Sequence, residues 1–136
     1  MGIGGEATDQ LGWDSVEFRI ESDDLTPAEI SERLHLAPTE SYQRGSAYYS
    51  DQPDGRKFDT NIWIIHRRSM GFTALTEVMD ILMPRANEIA QISALASPSV
   101  VWHARLQAGQ EYAQVSPETI ERLSKLGCGL TIAIFS

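Results

Sequence analysis

Between residues 41 and 59 the chain turns to tyrosine, serine, glycine, aspartate and arginine, and Tyr42, Arg44, Tyr48, Tyr49 and Arg56 all fall within this stretch. Tyrosine and arginine offer large contact area, while serine and glycine adapt their hydrogen bonds, so the composition suits a contact loop. The bland alternative is an ordinary hairpin whose tyrosines cover a sheet edge or open face. A second group is basic. His66, Arg67 and Arg68 end one strand-like segment, and His103 and Arg105 lie in another. Brought together by a sheet, they would suit an anionic ligand.

Other chemistries are poorly supported by residue type and spacing. A zinc site needs three or four convergent ligands, and the three histidines show no such pattern; His35 falls at the end of a predicted helix. Glu21, Asp23 and Asp24 lack the central glycine and terminal glutamate of a calcium loop. Cys128, between Gly127 and Gly129, reads as a small apolar group at the mouth of a strand. There is no Gly-x-Ser-x-Gly elbow and no phosphate-binding Gly-Lys loop. We therefore expect no catalytic residue, no metal and no cofactor.

The chain has 136 residues and a net charge of −8, which argues against a nucleic-acid backbone or an anionic membrane as main partner. Residues 1 to 35 hold nine acids and two bases, so an acidic rim is expected near the first helix. Such a rim reads as a solvated face or as a surface that steers a basic partner. The glycine-rich start shows no export signal, and charged residues break every apolar run short of a membrane span, so a cytoplasmic protein is expected. Residues 1–12 read as a flexible tail and residues 13–136 as one domain.

The elements that must position these groups follow from periodicity. Val16, Phe18 and Ile20 alternate with charged residues, a strand wet on one face. Thr26-Pro27-Ala28-Glu29 is a capping box with proline at the first helical position, and the helix it opens runs to about His35. Residues 41 to 59, broken by Pro53-Asp54-Gly55, form a hairpin or long loop. Phe58 to Arg67 is the most strand-like stretch and should lie inside the sheet.

Helical spacing then runs from Phe72 to Leu82, Pro84 interrupts it, and a second helical piece continues to Ala96. Residues 99 to 108 alternate as a strand, Ser116-Pro117 caps a last helix to Leu126, Gly127 turns left-handed, and Leu130 to Phe135 closes as a strand. This order suits an α+β two-layer sandwich, a largely antiparallel or mixed sheet with helices packed on one face. Were Ile62 and Ile64 to point at the helices, Trp63 and Ile65 would be bare on the other face, needing cover from the tyrosine loop, a ligand or a second copy.

The stretch from Phe18 through Leu25-Thr26-Pro27-Ala28-Glu29-Ile30, with Leu34, Leu36, Pro38 and Thr39, resembles the opening of a bacterial family catalogued as domain of unknown function 4279. The later order is similar too: Arg44-Gly45 in the polar loop, Trp63 in an apolar strand, paired helical segments, and Ser116-Pro117 leading through Leu126-Gly127 to a closing strand. Ser46 departs from the acidic residue expected after that glycine. The resemblance implies a single domain of prokaryotic origin over residues 16 to 135 and carries over no catalytic residue.

The leading expectation is a non-catalytic bacterial interaction module, of the kind that binds and neutralises another protein, using the tyrosine loop and the sheet's second face. Its partner would be another protein or a second copy of itself in a homodimer. The alternative is a small-molecule binder or unrecognised enzyme in which His66, Arg67, Arg68, His103 and Arg105 meet an anionic ligand.

Overall fold

The alternation around Val16 extends to a ten-residue strand, β1 (Trp13–Ser22), in the computed structural model, which describes residues 12–106 and 114–135. The other elements are α1 (Pro27–Leu34), β2 (Glu40–Tyr42), β3 (Asn61–Met70), α2 (Ala74–Leu82), a 3-10 turn (Met83–Arg85), α3 (Ala86–Ile92), β4 (Ser97–Arg105), α4 (Pro117–Leu126) and β5 (Gly129–Phe135). The strands form one sheet in the order β2-β3-β1-β4-β5. β1 is antiparallel to β3 and β4, β2 is antiparallel to β3, and among the described residues only the β4–β5 pairing is parallel. The result is the expected α+β sandwich with a mixed sheet.

Register decides which residues face the helices. Phe18 stands opposite Ile65 and Val100, and Ile20 opposite Trp63, so these side chains share one face. They join Ile30, Leu34, Val78, Met79, Leu82, Ile89 and Leu126 from the helices in one buried cluster. Each fully buried large aliphatic contributes roughly 1.5–3 kcal/mol relative to exposure. Trp63 therefore lies under α1, fully buried, with its Nε1 donating to Ser31 Oγ at 3.0 Å.

The condition under which Trp63 and Ile65 would lie bare is not met. Ile62 and Ile64 take the face away from the helices instead, opposite Glu21 and Arg19. All five residues from Asn61 to Ile65 are buried, so the strand's two faces cannot be told apart by hydropathy alone.

Helix boundaries follow their capping chemistry. Thr26 accepts from Glu29 N and Glu29 reaches back to Thr26 N, completing the predicted box. Ser116 accepts from Thr119 N, and Gly127 ends α4 at φ 70°, a left-handed position open to glycine at no steric cost. Thr73 makes no side-chain cap for α2. Asp14, fully buried on β1, supplies it from a distance: Oδ1 accepts from Ala74 N at 3.1 Å, and Oδ2 accepts from Leu75 N and from Trp102 Nε1.

Pro84 breaks the helical run into the 3-10 turn, and Arg85 there donates to the carbonyls of Leu34, His35 and Ile81. One guanidinium thus satisfies carbonyls at the ends of both α1 and α2.

Several boundaries differ from expectation. Phe58 belongs to the hairpin rather than to β3, because its N–H donates to Ser46 O. α3 stops at Ile92, and Leu95 and Ala96 lie beyond it, with Leu95 O accepting from Ser22 Oγ. β4 begins with Ser97-Pro98, where among the described residues it pairs with β1 alone, so a proline is tolerated. Its predicted extension past Leu106 falls outside the described residues, as does the predicted tail, apart from Gly12. Gly12 is not loose: it is buried, its carbonyl accepts from Gly71 N, and a Cβ there would meet the Phe72 ring at 2.3 Å.

Candidate functional site

The tyrosine segment is a hairpin between β2 and β3, closed by an Ala47–Lys57 bridge and by hydrogen bonds from Tyr48 N to Arg56 O and from Gly45 N to Phe58 O. Its rings form a stack. Phe58 lies between Tyr42 and Tyr48, with centroids 4.6 and 4.8 Å away, and the Arg56 guanidinium covers the Tyr48 ring at 4.4 Å. Tyr49 meets Tyr48 edge-on at 5.1 Å. Stacked pairs and a cation over a ring are each worth about 0.5–1.5 kcal/mol, so the hairpin is held by its own side chains. The stack is only partly sunk: Tyr48 is 41% and Tyr49 52% exposed.

The hairpin borders two depressions. One, of about 880 Å³, runs between the start of α1 and the hairpin; Pro27, Ser31, Ser41, Tyr42, Tyr48 and Phe58 are among its walls, which contain no charged side chain. The other, of about 250 Å³, separates the hairpin from the open face of the sheet, with Arg19, Tyr48, Arg56, Phe58 and Ile62 among its walls. This arrangement accounts for the cover over Ile62, since Tyr42 stands opposite it on β2 and Phe58 stacks on Tyr42.

Arg44 is anchored by its backbone, whose N–H donates to Asn61 Oδ1 at 2.8 Å, while its side chain lies 3.9 Å from Asp23. Tyr42 donates to Glu40 Oε2 at 2.5 Å, and that bond holds its phenol above the ordinary range. Of the predicted contact residues, Tyr42, Tyr48, Tyr49 and Arg56 are thus brought together, whereas Arg44, on the same hairpin, turns its side chain to Asp23. Trp63 is not among them: buried under α1, it has no surface to offer.

The basic residues divide differently. His66 stands opposite Glu17, and His103 opposite Ser15, so the two histidines share the open face but are separated by β1. Arg105 and Arg68 share that face, whereas Arg67, opposite Val16, has the other parity and donates to the carbonyl of His66. Arg67 is therefore parted from the other basic residues, and Arg68 shares a face with His66, His103 and Arg105.

At the sheet's opposite end Glu21, Asp23, Asp24 and Asp59 line a shallow, polar depression, the acidic rim expected near α1. Among the described residues no group of three or more His, Cys, Asp or Glu side chains is placed to hold a metal. Burial pushes the Cys128 thiol up to about 11, which keeps it protonated and poorly nucleophilic at neutral pH. Among the described residues no helix is long and apolar enough to cross a membrane.

Sequence reasoning missed Asp14 and Arg85, whose roles are to hold α1, α2 and β1 in place. Asp14 was detectable, because it shares the parity of Val16, Phe18 and Ile20 and so puts a carboxylate on an apolar face.

No curated protein and no solved structure matches the chain. One family model does, over residues 10–135, which takes in both faces of the sheet, the hairpin and all four helices, and the chain accordingly belongs to the family described as Domain of unknown function (DUF4279).

Proposed function

We propose that the protein is a non-catalytic interaction module that grips a partner protein with the tyrosine hairpin and the groove beside α1. The observation that carries this reading is the stack Tyr42–Phe58–Tyr48–Arg56. It presents rigid aromatic area, with Tyr48 and Tyr49 about half exposed, beside an uncharged groove walled by hydroxyls and prolines. Pre-stacked rings lose little entropy on binding, and tyrosine and arginine supply much of the energy at protein interfaces. The acidic rim nearby supports a partner with basic residues around an apolar contact. Binding of this kind is sufficient to neutralise a partner by covering its working surface, and a bacterial, cytoplasmic setting fits that role.

The test is affinity capture from the native host with wild-type protein and with a Tyr48→Ala/Tyr49→Ala variant. We expect a discrete partner with the first that is lost with the second, followed by reconstitution of the purified pair. Recovery of the same partner by both proteins, or of none by wild type, defeats the reading.

A further inference from the structure

The open face carries a second feature, at the end away from the acidic rim. β1 runs between β3 and β4, so each outward residue of β1 has a neighbour on either side: Ser15 stands between Arg68 and His103, and Trp13 between Met70 and Arg105. Opposed Cα atoms of antiparallel strands are about 5 Å apart, which places Arg68 and His103 about 10 Å apart across Ser15. From its place beside Ser15 the Arg68 side chain reaches over the Trp13 ring, whose partner on β4 is Arg105. Arg105 lies two residues along β4 from His103, about 7 Å away.

The charges here are left over. Although acids outnumber bases 19 to 11, the ion pairs among the described residues engage Arg19, Arg44, Arg122 and Lys125, and none engages Arg68 or Arg105. Among the described residues, Glu17 stands two positions from Ser15 on β1's outward side and faces Arg19 Nη1 at 3.8 Å. Arg68 is also held in place, its guanidinium carbon 4.4 Å from the centroid of the Trp13 ring. Stacking of this kind fixes the guanidinium while leaving its N–H fork free to donate.

We infer that Arg68, His103 and Arg105, arranged around Ser15, form a site for a phosphate monoester dianion. A carboxylate is satisfied by a single guanidinium fork. Donors presented on one face by two neighbouring strands, two of them permanently charged guanidinium groups, match a tetrahedral dianion better. The inference stands on residues of the open face alone and is independent of the hairpin's role.

Inorganic phosphate is the probe, titrated at pH 7.5 and constant ionic strength while the His103 imidazole and the arginine Nε–H signals are followed by NMR. Saturable shifts at His103, Arg68 and Arg105 are expected, with acetate at least tenfold weaker. Arg68→Gln/Arg105→Gln should weaken phosphate binding at least tenfold, and Trp13→Leu, which keeps every charge, several-fold. Tyr48→Ala should bind phosphate as wild type does, so failure here and failure of the hairpin reading are told apart. A linear response equal to that of sodium chloride, an equal affinity for acetate, or undiminished binding by the double arginine variant overturns the site.

Discussion

On the helix-covered face, Phe18, Trp63 and Trp102 are 0–3% exposed, and each indole N–H has a fixed acceptor, Ser31 for Trp63 and Asp14 for Trp102. Beyond the other face, Tyr42, Tyr48 and Phe58 lean on one another and on Arg56, and Tyr48 and Tyr49 remain in contact with water. The difference shows what sends an aromatic inward. An indole can be buried where a rigid element supplies an acceptor, whereas a phenol whose only polar neighbour is another exposed side chain keeps its hydroxyl wet. The buried set therefore holds the fold together and the stacked set is available to a partner.

The comparison breaks most readily at Trp63. Trp63→Ala should cost about 3–5 kcal/mol, measured by urea denaturation, since it empties a large volume and orphans Ser31. A small loss, with assembly altered instead, would mean that Trp63 is a contact residue after all. Next comes Asp14→Ala, which removes the acceptor for Ala74 N, Leu75 N and Trp102 Nε1 together and should cost about 2–4 kcal/mol. Asp14→Asn, which retains an acceptor, should recover part of that loss.

These two positions also show how much of the fold is legible in the sequence. β1, the capped starts of α1 and α4, the break at Pro84 and the left-handed Gly127 are written in local chemistry, and all five appear where the residues place them. The side Trp63 faces is not, because Asn61 to Ile65 are buried throughout and period-two alternation has nothing to report. Parity grouped Trp63 with Ile65 correctly; only register against β1, a long-range fact, fixes which layer receives them.

The same holds for the candidate site. The hairpin's residues are contiguous and can be read as one group, whereas Arg68, His103 and Arg105 come onto one face through β1, some 35 residues of chain separating the first from the others.

Cys128 sharpens the contrast by reactivity. It packs against the buried cluster, and its thiol is raised from 9.0 to about 11 by burial. A raised thiol favours the folded state below the unfolded pKa, and this contribution declines as pH climbs from about 9 towards about 11. Alkylation by iodoacetamide at pH 8 should run on the order of 100-fold slower than for a free thiol and accelerate steeply across that same interval. A rate near that of free cysteine would show this end of β5 to be open.

The smallest stability effect is expected at Tyr49, and it discriminates most finely. At 52% exposure, touching Tyr48 only edge-on, Tyr49 has little to lose to water, and Tyr49→Ala should change unfolding free energy by no more than about 0.5 kcal/mol. Tyr48→Ala should cost somewhat more, about 1 kcal/mol, because it frees one side of Phe58 and removes the ring beneath Arg56. If the hairpin is a contact surface, both variants fold normally yet lose the partner, so binding and stability separate. A Tyr49→Ala variant that unfolds as readily as Trp63→Ala would erase the distinction between the two aromatic sets, since the hairpin would then be a core element whose exposed rings merely mark its outer boundary.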